Sequence, residues 1–77
     1  MIIKVYPGSM VKCIGLDEDG NIEVDDALSV RELLGHLKVP VLVRPLILIS
    51  VNGMNVDRNY ELKQGDAVSF MMPLAGG

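Results

Sequence analysis

Seventy-seven residues, 49% of them hydrophobic and 22% charged, suffice for one small globular domain and leave no room for a second. A chain this short has little capacity to enclose a pocket of roughly 300 Å³ or more with convergent polar groups, which favours a carrier or binding module over an enzyme. The net charge of −3, with its basic residues scattered along the chain, argues against a nucleic-acid partner. The apolar stretch 39–51 is broken by Pro40, Arg44 and Pro45 and falls short of the roughly 20 apolar residues of a membrane span. Residues 1–7 carry neither a basic nor an apolar leader pattern, and the single cysteine, Cys13, has no partner for an internal disulfide; both favour a reducing, cytoplasmic setting. Cys13 has no base near it in sequence and reads as a structural thiol.

Residues 2–6 mix β-branched and aromatic side chains ahead of Pro7-Gly8-Ser9, the pattern of a first strand and a turn. Residues 9–16 fit either an alternating strand or one helical turn, and periodicity does not separate the two. The acidic stretch 17–21, with its Asp19-Gly20 pair, reads as a solvated turn before a short strand at 22–24; it lacks the ligand spacing of a calcium loop.

The strongest local signal is Ser29-Val30-Arg31-Glu32, a capping box in which Ser29 accepts from the amide of Glu32 and Glu32 reaches back to the amide of Ser29. Val30, Leu33, Leu34 and Leu37 follow as one apolar stripe, so the pattern predicts a main helix over about 29–38 with one face on a sheet. Pro40 disfavours helical geometry at Val39 and sets the stop. His36 lies off the stripe with no second metal ligand at helical spacing, and reads as solvated.

Residues 46–52 carry apolar side chains in both alternating sets and are expected to form a central strand. Asn52-Gly53 predicts a tight turn and a short return through 54–56; Gln64-Gly65-Asp66 predicts another before a final strand over 67–72. The order suits an α+β domain with a mixed four- to five-stranded sheet and one helix packed across it.

Pro73 cannot donate to a ladder, so the domain is expected to occupy 1–72 and residues 73–77 to form a flexible tail. Five extended residues reach about 17 Å, and Gly76 and Gly77, lacking Cβ atoms, fit a channel too narrow for side chains. With glycine at 8 of 77 positions, a chance Gly-Gly ending has a probability of about one in a hundred. A terminal carboxylate repels nucleophiles, so Gly77 becomes reactive only after activation as an acyl-phosphate or acyl-adenylate by another protein.

The opening Ile2-Ile3-Lys4-Val5, the segment from Ser29 to Leu34, Ser50-Val51-Asn52-Gly53, and Leu62-Lys63-Gln64-Gly65-Asp66-Ala67-Val68 ahead of a terminal Gly-Gly resemble the MoaD/ThiS-like sulfur carriers of the ubiquitin-like β-grasp family. That branch is typified by the small subunit of molybdopterin synthase and the thiamine sulfur carrier. The resemblance implies a β-grasp fold and a carrier protein that is itself a substrate. A partner of the E1-like adenylyltransferase type consumes ATP to adenylate Gly77. A sulfur donor of the cysteine desulfurase or rhodanese type supplies the thiocarboxylate, Gly76 permits threading, and no cofactor is bound. Met72-Pro73-Leu74-Ala75 resembles the tail of the molybdopterin synthase small subunit, which implies a synthase large subunit as a further partner. The alternatives are a thiamine-type carrier, a ubiquitin-like modifier that joins Gly77 to a lysine, and a β-grasp protein-binding module.

Ordering five tail residues in a channel costs about 5 to 10 kcal/mol of backbone entropy, so a folded docking surface is expected beside the tail. Because one helix covers one sheet face, an apolar patch around Phe70, Met71 and Met72 is expected on the other, together with contacts from Pro73, Leu74 and Ala75. The competing arrangement has residues 9–21 folding over that face as a second small core.

Overall fold

The structure, a computed structural model, describes residues 1–8, 11 and 13–72. Seven short elements follow in chain order: β1 Ile2–Tyr6, β2 Asn21–Glu23, α1 Val30–His36, a 3-10 turn Arg44–Leu46, β3 Leu48–Val51, β4 Met54–Asn55 and β5 Ala67–Met71. The five strands make one mixed sheet in the order β2-β1-β5-β3-β4, with β1 and β5 parallel and the other neighbours antiparallel.

One face of the sheet carries Ile3 and Val5 of β1, Val68 and Phe70 of β5, and Ile49 and Val51 of β3, all buried. They meet Val30, Leu33, Leu34 and Leu37 of the helix stripe in a single core, so the period of two in the strands and of 3.6 in the helix converge on the same apolar volume. The helix begins as the capping box requires: Glu32 N donates to Ser29 Oγ at 3.2 Å and Ser29 N to Glu32 Oε1 at 3.1 Å. The amides of Val30 and Arg31, which have no acceptor within the helix, donate instead to the carbonyls of Tyr60 and Arg58 at 2.9 and 3.0 Å.

Its C-terminus departs from expectation in mechanism. Lys38 takes a left-handed φ of 57°, its amide donates to Gly35 O, and that of Val39 donates to Leu34 O. This pair of bonds is a Schellman motif with lysine in the usual glycine position and buried Val39 as its apolar clasp. The helix therefore ends at His36, four residues ahead of Pro40.

Two further differences have plain causes. Residues 46–47 do not join the strand. Pro45 suits the first turn of a helix and draws Arg44–Leu46 into a 3-10 turn, so β3 starts at Leu48. Nor is β3 central: β5 takes that place, and the second apolar set of β3 is represented on the outer face by Leu48, which stays 55% exposed. Of the undecided segment 9–16, Val11 is buried in the one core, Cys13 and Leu16 pack against it, and Ile14 N donates to Leu37 O. The segment thus contributes to the helix-side core, and among the described residues no second core covers the outer face.

The two glycine turns interlock. Asn52 and Gly53 have φ of 52° and 84°, both positive as a primed hairpin turn requires. From that turn Asn52 Nδ2 donates to Asp66 Oδ1 and Asn52 Oδ1 accepts from Ala67 N, each at 3.0 Å, while Asn52 N donates to Ala67 O at 2.8 Å. Asp66 is 7% exposed, and its second carboxylate oxygen accepts from Lys63 N at 2.8 Å. The same turn holds β1 through Lys4 N to Asp66 O and Gly65 N to Ile2 O.

Asn52→Gly keeps the positive φ available but strips one donor from the buried Asp66 carboxylate and the side-chain acceptor from Ala67 N, and is expected to cost about 1 to 3 kcal/mol. Denaturant unfolding of Asn52→Gly, Asp66→Ala and the double variant is expected to give strongly non-additive losses, since each single change already disables the shared contact. At the helix start, bonding to the Ser29 backbone and side chain holds the exposed Glu32 carboxyl below its ordinary range. A lowered folded-state pKa stabilises the fold above the unfolded pKa and ceases to do so as pH falls through the folded value. The advantage of the native chain over Glu32→Gln is therefore expected at neutral pH and absent in acid, as read by urea midpoints at the two conditions.

Candidate functional site

The alternation that buries Val68 and Phe70 turns Ala67, Ser69 and Met71 to the outer face. There Met71 lies opposite Leu48, and Ser69 lies between Ser50 on one side and Tyr6 on the other. Met71, 65% exposed, Leu48 and the exposed ring of Tyr6 give this face its apolar character. Ser50, Ser69 and Lys4, whose Nζ sits 5.7 Å from the Tyr6 ring centroid, give it polar points. The patch adjoins the end of β5, from which the chain continues through Met72 to Pro73.

The expected patch residues divide between the two faces. Met71 stands on the open face. Phe70, only 4% exposed, is buried beneath the helix opposite Ile49, and Met72 is half-buried and packs against the core. The grouping of Phe70 and Met72 with an exposed surface is thus corrected: residues adjacent in a strand point to opposite faces, and Phe70 shares the parity of Val68. Leu48 and Tyr6 take their places. Pro73, Leu74, Ala75, Gly76 and Gly77 lie outside the described residues.

Among the described residues no group of three or more histidine, cysteine or carboxylate side chains is placed to hold a metal ion. Burial pushes the Cys13 thiol above its usual pKa, which keeps it protonated and a poor nucleophile at neutral pH. His36 is exposed on the rim of a shallow cleft of about 400 Å³ lined also by Met1, Glu23, Val24, Asp25 and Asp26. Within it the Met1 ammonium donates to Val24 O at 2.6 Å and lies 3.5 Å from Asp26. These contacts fasten the start of β1 to the end of β2 and present no reactive pair.

A five-stranded mixed sheet packed on one helix defines a ubiquitin-like β-grasp protein. Residues 5–77 match the ThiS family, and the chain belongs to that family of sulfur carriers. Among solved structures it is similar to the thiamine biosynthesis protein ThiS from Geobacter metallireducens, at 26% identity and a TM-score of 0.68 over the whole of both chains. SAMP1 from Haloferax volcanii shares the fold at 16% identity and a TM-score of 0.66. So does a chain in the complex of subunits 1 and 2 of the molybdopterin-converting factor from Helicobacter pylori 26695, at 22% and 0.61, and coverage of both chains is again complete in each case. A comparison with curated proteins gave no significant sequence match.

Because Met71 and Leu48 are solvated, Met71→Asp and Leu48→Asp are expected to leave stability within about 0.5 kcal/mol of the native chain. Phe70→Ala should cost about 3 to 5 kcal/mol. Parallel thermal and urea unfolding of the three variants measures the contrast between the faces.

Proposed function

We propose that this chain carries sulfur on its terminal glycine. A partner enzyme joins the Gly77 carboxylate to AMP from ATP, releasing pyrophosphate; a hydrosulfide equivalent then displaces AMP and leaves a thiocarboxylate. The observation that carries this reading is the family match, which runs unbroken from residue 5 through the Gly76-Gly77 pair. Gly76 and Gly77 admit close approach by a catalytic channel, and Pro73, Leu74 and Ala75 line the channel mouth.

The outer face supplies binding energy that the tail lacks. Met71, Leu48 and Tyr6 dock against the activating enzyme, and methionine at such a surface adapts to more than one partner. The loaded carrier then gives its sulfur to the precursor of a sulfur-containing cofactor. Proline and alanine in the tail favour the molybdopterin branch, while the likeness to a thiamine biosynthesis protein favours the thiazole branch. The docking partners of the two branches would use the same face.

Incubating the native chain with ATP, an activating enzyme and a sulfur donor is expected to raise its intact mass by the difference between one sulfur and one oxygen. Deleting Gly76 and Gly77 should abolish that gain. Met71→Asp and Leu48→Asp should slow loading through weaker binding while the fold is retained. Conjugates to protein lysines in place of the mass gain would identify a modifier, and full binding activity without the two glycines would identify a binding module.

A further inference from the structure

All three arginines of the chain line one groove. Arg31 enters it from α1, Arg44 from the 3-10 turn and Arg58 from the segment after β4, and the remaining walls are Leu34, Val41 and Pro45. The groove measures about 420 Å³ and no carboxylate lines it. It lies on the helix side, away from the face that carries Met71.

The guanidinium groups are held without being neutralised. Arg44 Nε donates to Val39 O at 2.8 Å, Arg58 Nη2 donates to the carbonyls of Arg44 and Ile47, and Arg31 Nη2 reaches Asn59 Oδ1 at 3.3 Å. Every acceptor is an uncharged carbonyl or amide oxygen. A guanidinium has five N–H donors, so each keeps donors for a ligand. The ion pair found among the described residues joins Met1 to Asp26, and none involves an arginine.

The charge distribution sharpens the contrast. The chain carries −3 overall, yet six of its ten carboxylates fall within residues 17–26, at the β2 edge of the sheet. The arginines gather instead around the 3-10 turn that enters β3, a strand separated from β2 by β1 and β5. Beside them Val41 is 69% exposed and Leu42 90% exposed. Two large apolar side chains held in water next to three unneutralised cations form a surface with both halves of an amphipathic recognition site.

We propose that this groove docks a segment of a partner protein in which carboxylates flank an apolar side chain. The carboxylates pair with the guanidinium forks, and the apolar side chain enters between Leu34, Val41 and Pro45. The apolar walls disfavour a bare inorganic anion, and the groove has no aromatic side chain on which a nucleobase could stack. Because the groove and the outer face lie on opposite sides of the sheet, two proteins can be engaged at once. This inference goes beyond sulfur carriage and stands whether or not Gly77 is ever loaded.

The test is a titration of the isotopically labelled full chain with the N-acetylated, C-amidated peptide Glu-Leu-Glu-Leu-Glu, read by NMR. Shifts are expected at the side chains of Arg31, Arg44 and Arg58 and the amides of Val41 and Leu42, with affinity falling as salt is raised. The Gln-Leu-Gln-Leu-Gln peptide and inorganic phosphate, each supplying half of the chemistry, should bind about tenfold more weakly or less. R31E removes the guanidinium that is fastened only to an exposed side chain, so it should fold and lose about tenfold in affinity. Val41→Asp should do the same from the apolar side. The proposal is overturned if the peptide leaves these residues unmoved, if either variant binds as the native chain does, or if phosphate or a short RNA binds there as tightly. It is equally overturned if the groove proves to be filled by the acidic edge of a second copy, seen as concentration-dependent association that R31E abolishes.

Discussion

The buried Asp66 carboxylate, reached by the Asn52 side chain from one turn and by the Lys63 amide from its own, is the contact on which the sheet depends. It joins the hairpin after β3 to the loop before β5, and the neighbouring backbone bonds from Lys4 and Gly65 bring β1 to the same point. Three strands thereby share one anchor at one end of the sheet. That end sets the register of β5, and register in a strand decides which side chains face the helix and which face water. A slip of one residue would expose Phe70 and bury Met71.

Length and layer number follow from the same economy. With one helix to cover one face, the described residues of this 77-residue chain build a single core and none of them forms a second layer over the outer face. In a larger domain a second layer would close over such a face. Here Val11, Cys13 and Leu16, the residues best suited to form it, are drawn to the rim of the existing core. A shared core for these side chains removes more apolar surface from water than a thin second one would, and the cost falls on Leu48, Met71 and Tyr6, which stay solvated.

Where local chemistry decides structure, the sequence was a reliable guide. The Ser29 and Glu32 capping box needs only two side chains and their own backbone, and it stands as the residues predict. β1 matches residue for residue, because Pro7-Gly8 punctuates an alternating run. The failures are of another kind. Lys38 in a left-handed conformation is held by bonds to Gly35 and Leu34 and by burial of Val39, which only the assembled core supplies. Composition alone groups Phe70 with Met71 and Met72, whereas its parity with Val68 in an alternating strand places it inward. Asn52 was legible as a turn residue, but its partner fourteen positions on was not, since pairing at that distance depends on the strand order. The arginine groove was equally invisible: Arg31, Arg44 and Arg58 are spaced too widely for any local pattern, and the fold alone brings them together.

The two sides of the sheet have different physical characters. On the outer face the contacts are apolar and adaptable, suited to surfaces that match in shape. On the helix side lie three guanidinium groups, of which those of Arg44 and Arg58 are fastened to backbone carbonyls, and a planar fork of this kind favours a directed, negatively charged ligand. Apolar contact supplies affinity with little discrimination, whereas unpaired cations reject a partner that cannot satisfy them. A contact made on one side need not disturb the other, because the core between them is a single packed layer whose register is fixed at Asp66.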